Sequence, residues 1–298
     1  MKTILFNVPI MGEDVYPRAT QWIQERNAKT IKKKSDFLSS DEVILVFGRH
    51  VLPLTILCKI FRKKVIIDHW ASWYVTHTYK NRIIRKIAKY NYKLAFKLAD
   101  EIFTFCDGSK IKLERIYNVK IKILYFNQDP SIFKPLKKEM FKNKFVVLYH
   151  GAFHKHHDIE KTLNAFTIAA GKSKNIVAIT IGKKINNPNI HSIGWKKLEE
   201  IPKLINQCDL YVRLEKDDYI FPTCIIQAML CGKPILTTKT FGNYLALGDN
   251  DGIIYVNKKV MAEKIANKII ELSKKNLKSA GEKARLFALN KFSYSYKN

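Results

Sequence analysis

Three groups of residues in this 298-residue chain have the types and spacing to bind an anion or a sugar. Phe221-Pro222-Thr223 opens a small-residue helix that stops at Gly232, and a helix start offers N–H groups to such ligands. The loop from Gly151 to His157 reads Gly-Ala-Phe-His-Lys-His-His and is cationic when its histidines are protonated. The polar pair Asp68-His69 follows an apolar stretch. A polar pair at the end of a strand is more often functional than one in the middle of a helix. Ligand chemistry is therefore predicted at the carboxyl ends of strands.

Apolar strand patterns alternate with helical patterns along the chain, which predicts an α/β protein with parallel, doubly wound sheets. The predicted strands are residues 2–8, 42–47, 64–68, 101–105, 120–125, 145–150, 176–181, 190–193, 210–214, 235–238 and 252–256. Helices are predicted at 81–98, 108–117, 159–170 and 198–207, after Phe221, and through 260–292. We expect two Rossmann-like domains facing a central cleft: an N-terminal domain at 1–135, a linker at 136–144, and a C-terminal domain at 145–298 with basic C-terminal helices.

The chain is strongly basic, with 53 Lys and Arg against 26 Asp and Glu and a formal net charge of +27. Residues 1–142 hold 28 basic and 13 acidic side chains, and the remainder holds 25 and 13, so the excess is diffuse. Such a charge favours nucleotide phosphates, an acidic membrane surface or nucleic acid, and does not choose among them. The 47% content of hydrophobic residues argues against disorder.

The cysteines and apolar stretches indicate a cytoplasmic protein that is soluble or peripheral to a membrane. Five cysteines in apolar surroundings form no CxxC pair, which favours reduced thiols. No apolar stretch reaches the length of a membrane span, and residues 1–8 read as a strand and not as a signal peptide. Helix 81–98 carries a basic face that fits an anionic membrane surface, or else it is a core helix with a solvated face.

The segment from Phe221 to Leu236 resembles the donor-binding signature of GT-B glycosyltransferases of family 4, also called group 1. Its Phe-Pro turn is followed by Ala228-Met229 and by the run Cys231-Gly232-Lys233-Pro234-Ile235. Further similar segments occur in the family's order: Ala99-Asp100-Glu101-Ile102, Asp129 to Pro135, Val146 to Phe166, Gly194-Trp195, and Cys208 to Val212. Together they cover roughly residues 65–295. The resemblance implies a GT-B fold whose C-terminal domain binds a nucleotide sugar and whose N-terminal domain binds the acceptor.

The same resemblance implies transfer of a hexose from a nucleotide-diphosphate sugar to an acceptor hydroxyl, with retention and without a metal or other cofactor. The acceptor is expected to be a glycan or a lipid-linked or protein-linked group. The implied donor-binding residues are Gly151, Lys155, His157, Gly194, Asp218, Tyr219, Phe221, Pro222, Thr223 and Gln227. His69 or Asp68 takes the catalytic position beside the transferring sugar, and Gly12, Arg18 and Trp70 are expected on the acceptor side.

The chain departs from the family's pattern at four donor-site positions. Ala152 and His157 stand where the family has an arginine and a lysine that stabilise the departing pyrophosphate. Tyr219 and Gln227 stand where it has two glutamates that contact the sugar and the ribose. The alternative functions are therefore a non-catalytic GT-B protein that binds nucleotide or glycan, and a nucleic-acid-binding or nucleic-acid-glucosylating protein.

Each proposed residue also has a simpler interpretation. The histidine loop can be a solvated loop, the Asp217-Asp218 pair an exposed turn, and His69 a structural histidine. A metal site built from His154, His156 and His157 is not expected, because only Asp158 lies nearby to complete the ligand set.

Overall fold

The computed structural model describes residues 1–6, 17–46, 51–69, 81–153 and 157–293. The chain divides into two compact units, Met1–Phe126 and Asn127–Asn298. The division falls nine residues before the predicted boundary at 135. It does so because the predicted linker, residues 136–144, contacts the second unit. There the Leu136 N–H donates to Asn206 Oδ1 (2.8 Å), and Gln207 Oε1 accepts from the backbone of Met140 (2.8 Å).

The first unit is built on a six-stranded, all-parallel sheet with the strand order β2-β1-β3-β4-β5-β6. Its strands are β1 Thr3–Phe6, β2 Lys29–Thr30, β3 Glu42–Val46, β4 Lys64–Asp68, β5 Glu101–Thr104 and β6 Lys122–Ile123. Its described helices are α1 Pro17–Arg26, α2 Lys34–Leu38, α3 Val51–Ile60, α4 Arg82–Leu98 and α5 Asp107–Tyr117.

Both faces of this sheet are buried, because successive side chains of a strand point to opposite sides. Val43 and Leu45 pack on one side with Tyr92 and Phe96 of α4. Ile44 packs on the other side, in the cluster that holds Trp22 of α1. This two-sided burial explains why β3 reads as a continuous apolar run.

The second unit has its own six-stranded parallel sheet, with the order β12-β11-β10-β7-β8-β9. Its strands are β7 Phe145–Gly151, β8 Ile176–Gly182, β9 Ile190–Gly194, β10 Leu210–Arg213, β11 Ile235–Thr238 and β12 Ile253–Val256. Its helices are α6 Ile159–Lys172, α7 Ile201–Ile205, α8 Thr223–Leu230, α9 Phe241–Leu247, α10 Ala262–Leu272 and α11 Lys278–Phe292, with a 3₁₀ turn at Leu198–Glu200.

One face of this second sheet packs against α6 and α10. Val147 and Val212 of the strands meet Phe166 of α6 and Ile269 of α10 in one buried cluster. On α8, Ile225 and Met229 are also fully buried. The sheet is thereby held as a rigid platform for the loops at its carboxyl edge.

The strand order places a topological switch point between β7 and β10. The chain runs from β7 outward through β8 and β9, and then returns to the other side of β7 to form β10 and the strands beyond it. In open α/β sheets the crevice at such a point, beyond the carboxyl ends of the strands, is where ligands bind.

Among the helices that the structure describes, none is long and apolar enough to cross a membrane.

Candidate functional site

Gly151 ends β7 at the switch point, and its backbone has a conformation that favours glycine. Its φ is +129°, and a Cβ there would lie 2.8 Å from Arg213 Nη1. Gly182 ends the neighbouring strand β8, where a Cβ would lie 2.5 Å from the Gly151 carbonyl oxygen. The edge of the sheet is therefore kept free of side chains where the Arg213 guanidinium approaches it.

Arg213, which the sequence interpretation did not single out, is the buried cation of this site. Its side chain is only 3% exposed. Nη1 donates to the His150 carbonyl (3.0 Å), Nε donates to Glu215 Oε1 (2.7 Å), and the guanidinium lies 4.8 Å from the centre of the Tyr149 ring. These contacts fix a permanent positive charge beside Gly151.

Glu215 joins Arg213 to His157. Its carboxylate is fully buried, and Oε2 lies 2.6 Å from His157 Nδ1. The backbone reinforces the pair, because Asp158 N–H donates to the Leu214 carbonyl (2.9 Å) and residues 157 and 215 form an antiparallel bridge. His157 is 6% exposed, so it belongs to a buried charge cluster and not to a solvated loop.

His150 and Tyr211 extend this polar cluster behind the edge. Burial, together with the Arg213 charge, lowers the pKa of His150 to about 3, so its ring is neutral at physiological pH. Burial raises the pKa of Tyr211 well above its usual range. The Tyr211 hydroxyl therefore stays protonated; it lies 3.1 Å from His150 Nδ1 and donates to the His150 carbonyl (3.3 Å).

Helix α8 follows β10, the strand that carries Arg213, and the side chain of its second residue, Cys224, contacts Tyr211. Pro222 is its N-cap residue, so no side chain caps the first turn, and Ile225 N–H donates to the Pro222 carbonyl (3.1 Å). Phe221 is buried against Phe292, with ring centres 5.4 Å apart. Thr223 is the first helical residue, so the predicted Phe-Pro-Thr turn forms a helix start as expected.

The remaining predicted donor residues of this region have protein partners. Gln227 is buried, and its Nε2 donates to Gln128 Oε1 (2.9 Å). The Asp218 carboxylate pairs with Lys258 Nζ (2.7 Å), and the Tyr219 ring packs edge-on against Phe241 at 6.2 Å. The Asp218 carboxylate is therefore neutralised by Lys258, and its predicted contact with the donor stays a prediction.

Gly194 is the one described donor residue that the fold places away from the others. It ends β9, two strands from β7, which corresponds to about 10 Å across the sheet. Its φ of +85° and the approach of Lys184 Cε to 3.2 Å from a built Cβ explain the glycine.

In the first unit, Asp68 and His69 follow one another at the end of β4 and are both fully buried. Trp22 Nε1 donates to Asp68 Oδ2 (2.6 Å). The His69 ring packs against Tyr92 and Phe96, at 4.9 Å and 5.6 Å between ring centres. Burial lowers the pKa of His69 to about 3, so the ring is neutral at physiological pH.

Some predicted site residues lie outside the described residues: Lys155, Gly12 and Trp70, together with the side chain of Arg18. His154 and His156 of the three-histidine alternative lie outside them as well. Within the described ranges, no group of three or more His, Cys, Asp or Glu side chains could hold a metal ion.

A cavity of about 430 Å³ in the second unit opens at the opposite edge of the sheet, near Phe145 and Pro234, where β7 and β11 begin. It is remote from the cluster of Arg213, Glu215 and His157. The switch-point edge is therefore the better candidate site, since it combines a buried charge cluster with a helix start.

Comparison with known proteins assigns this arrangement to a family. The sequence model described as "Glycosyl transferases group 1" matches residues 132–287, slightly more than half of the chain. The match contains the whole charge cluster and the Phe-Pro helix.

Two curated proteins are similar over most of the chain. One is an uncharacterized glycosyltransferase of Methanocaldococcus jannaschii, 26% identical over 78% of this chain and 66% of its own length. The other is the N,N'-diacetylbacillosaminyl-diphospho-undecaprenol alpha-1,3-N-acetylgalactosaminyltransferase of Campylobacter jejuni, 25% identical over 70% of this chain and 61% of its own length. The chain thus spans about two thirds or less of these relatives.

A solved structure shares the fold. The Anabaena protein HepE, crystallised with UDP and glucose, superimposes with a TM-score of 0.72 over 98% of this chain and 95% of its own, at 14% sequence identity. A similarity at such low sequence identity shows a shared fold and does not identify the substrate. The expected GT-B fold, with its two parallel α/β sheets, is confirmed.

Proposed function

Because the chain belongs to the group 1 glycosyltransferases, we propose that it transfers a hexose from a nucleoside diphosphate sugar to an acceptor hydroxyl. The proposal includes retention at the anomeric carbon and independence from metal ions and other cofactors, and both rest on the family resemblance. The single observation that carries the proposal is the charge cluster of Arg213, Glu215 and His157 at the switch point, beside Gly151 and the start of α8.

In this proposal, Arg213 takes the place of an arginine that other members of the family have at a different position. The family's arginine follows the glycine of the β7 loop, where this chain has Ala152. The Arg213 guanidinium approaches the same loop from β10, with Nη1 2.8 Å from a Cβ built on Gly151. A guanidinium fixed at this place favours negative charge on the departing pyrophosphate.

The cluster's net charge depends on His157. Arg213 and Glu215 cancel, so the cluster is neutral when His157 is neutral and carries one positive charge when His157 is protonated. We propose that the protonated form stabilises the leaving pyrophosphate, with Lys155 and the N–H groups at Thr223 as further donors. Phe221 and Pro222 set the direction of that helix start.

The nature of the donor and the acceptor belongs to the same proposal. The UDP bound by HepE supports a nucleoside diphosphate as the leaving group. The diphospho-undecaprenol in the name of the Campylobacter relative supports a lipid-linked acceptor, with a free glycan or a protein-linked group as the alternatives. Gly194, Asp218, Tyr219 and Gln227 are proposed to line the nucleotide and sugar part of the donor site.

On the acceptor side, we propose His69 or Asp68 as the group beside the transferring sugar, with Gly12, Arg18 and Trp70 around the acceptor. The burial of His69 limits its role, because a neutral ring can orient a hydroxyl but carries no charge. A cytoplasmic location is proposed as well, since the four cysteines that are fully buried suit a reducing compartment.

A panel of nucleoside diphosphate sugars tests this function. We expect release of nucleoside diphosphate from at least one donor, faster with a lipid-linked saccharide acceptor and unchanged by EDTA. Arg213→Lys should keep the charge but lose the separate Nε and Nη1 contacts to Glu215 and His150, and reduce turnover on the order of a hundredfold. The matched control Lys264→Ala, on α10, should leave turnover unchanged. Full turnover by Arg213→Lys would contradict the assignment.

A second candidate function is binding of a nucleotide or glycan without turnover. It is favoured by Gln227, whose Nε2 is held by Gln128 where the family has a glutamate for the ribose. Isothermal titration with the same donors, showing tight binding without nucleotide release under any acceptor condition, would support it.

A further inference from the structure

Helices α3 and α4 of the first unit lie side by side and form one surface of that unit. Their inner faces are buried: Val51 and Cys58 of α3 and Ala95 and Phe96 of α4 belong to the same core cluster. Each helix thus has one face committed to the core and another available on the outside.

The outer faces are unusually apolar. Ile60 at the end of α3 is 70% exposed, and Ile83 in the first turn of α4 is 67% exposed. We define the α3/α4 surface by the large apolar side chains that these helices and the turn after α3 expose, namely Ile56, Leu57, Ile60, Phe61, Ile83, Ile84, Ile87, Tyr90 and Leu98. Single exposed apolar residues are ordinary, but nine on two adjacent helices and the turn after α3 mark an interaction surface.

The charges of the two helices all have one sign. α3 and α4 contain no Asp or Glu, and their basic residues are Lys59, Arg82, Arg85, Lys86, Lys89, Lys93 and Lys97. Asp100 pairs with Lys59 at 2.6 Å. Within the described part of the chain, no salt bridge reaches Lys86, Lys93 or Lys97. The surface therefore attracts anions.

The helical spacing on α4 separates the two kinds of side chain into neighbouring stripes. Ile83, Ile87 and Tyr90 follow one another at intervals of four and three residues and share one stripe. Lys86 and Lys93 lie on the adjoining stripe at an interval of seven. A helix of this pattern, lying flat on a bilayer, places isoleucines at the acyl boundary while lysine stems reach the phosphates.

From this combination we infer that the α3/α4 surface docks the protein on an anionic lipid bilayer. A second copy of the chain is a poorer occupant, because two acid-free surfaces facing one another repel. Nucleic acid is poorer too: its phosphates would satisfy the lysines but leave the exposed isoleucines in water. A bilayer surface satisfies both stripes at once. The inference does not depend on the proposed transfer reaction.

Vesicle sedimentation tests the inference with the full chain and no donor sugar. We expect binding to vesicles of equimolar phosphatidylglycerol and phosphatidylcholine, weakening as salt is added, and little binding to phosphatidylcholine alone. Absence of binding to the anionic vesicles would overturn the inference.

Matched variants locate the surface. Ile83→Asp with Ile87→Asp should lower the partition coefficient at least tenfold, because burial of both side chains is lost and two negative charges face the lipid. The control Leu286→Asp changes a residue of α11 that is 62% exposed, and should bind like the unchanged protein. Likewise, Lys86→Glu with Lys93→Glu should weaken binding, and Lys264→Glu on α10 much less.

The alternative occupants give distinct results. Unchanged circular dichroism and thermal midpoints of the variants exclude loss of fold as the cause. Equal vesicle binding by Ile83→Asp/Ile87→Asp and the unchanged protein would overturn the inference. So would a dimer that only the isoleucine variants dissociate, or duplex DNA binding that exceeds vesicle binding and depends on Lys86 and Lys93 alone.

Discussion

At the scale of single residues, His157 is the group whose protonation changes the charge of the candidate donor site. Since Arg213 and Glu215 cancel, protonation of His157 gives the buried cluster one net positive charge beside a leaving pyrophosphate. Turnover should therefore fall with rising pH as His157 loses its proton and the cluster becomes neutral. His157→Lys should flatten that dependence and raise the rate at high pH.

The control for this pH profile is His191→Lys, which changes an exposed histidine of β9 and should leave the profile unchanged. His157→Ala is expected to cost on the order of a hundredfold in turnover. Rate and profile that survive His157→Ala would show that the phosphate site consists of other groups, such as Lys155 and the start of α8.

The Arg213–Glu215 pair allows structure and function to be separated. Removing one partner leaves an uncompensated buried charge and should cost about 3–5 kcal/mol of unfolding free energy, whereas exchanging both for apolar residues is often neutral. We expect Arg213→Met with Glu215→Leu to lose less unfolding free energy in urea than either single variant, although it also removes the partner of His157, and to lose turnover. Retained turnover in this double variant would make the pair purely structural.

Asp68 can be tested against its structural partner Trp22. The charge-assisted hydrogen bond between them is 2.6 Å long, and weakening it should cost about 1–3 kcal/mol. Trp22→Phe and Asp68→Asn should both lower the thermal midpoint. If Asp68 also acts beside the transferring sugar, only Asp68→Asn lowers the turnover of the folded enzyme. Equal turnover in both variants would mean that the role of Asp68 is structural only.

At the scale of elements, the packing of α11 depends on one helical glycine. A Cβ on Gly281 would lie 2.1 Å from the Gly232 carbonyl oxygen, which is backbone and cannot move aside alone. Gly281→Ala should therefore destabilise the second unit by about 1–3 kcal/mol in urea unfolding.

The opposite outcome is expected for Gly171→Ala, near the end of α6. The nearest atom to a Cβ there is Asn189 Nδ2 at 3.8 Å, an ordinary contact. Alanine should add up to about 1 kcal/mol through its helix propensity. Equal effects of the two substitutions would mean that α11 shifts freely.

Elements with a strong apolar period were predictable, and elements fixed by tertiary contacts were not. The buried strands β3, β7 and β8 lie within about one residue of their predicted ranges because continuous apolar runs mark strands buried on both faces. Helix α9 was missed, since Gly242-Asn243 reads as a turn. It forms because Thr240 caps it and because Gly242 N–H donates to the Asp218 carbonyl (2.6 Å).

The candidate site was predictable in part for the same reason. The Phe-Pro helix start depends on adjacent residues and was recognised. The link between His157 and Glu215 joins positions 58 residues apart and appears only in the folded sheet. A signal did exist, since Arg213 and Glu215 are two charged residues at alternate positions of an otherwise apolar stretch.

At the scale of the whole molecule, the cysteines report folding. Burial raises the pKa of Cys58 to about 11 and those of Cys208 and Cys231 to about 12. Very little thiolate exists at these three positions at pH 7, so their alkylation in the folded protein should be at least roughly a hundredfold slower than in urea. Mass spectrometry gives the labelling rate of each cysteine. Fast labelling of Cys208 in the native protein would contradict its burial.

Those labels also distinguish the two units. Cys58 and Cys106 lie in Met1–Phe126, while the other three cysteines lie in Asn127–Asn298. The order in which they become reactive with rising urea therefore gives the order in which the two hydrophobic cores open.

The way Glu215 divides its two carboxylate oxygens between Arg213 and His157 has an evolutionary consequence. The three residues neutralise one another's charges, so that the loss of any one leaves an uncompensated charge in the protein interior. Stepwise drift at these positions is therefore obstructed, and substitutions should be inherited in sets. Among descendants of the same ancestral gene, a neutral residue at position 213 should be accompanied by loss of the acid at 215, so that the three positions behave as one heritable character.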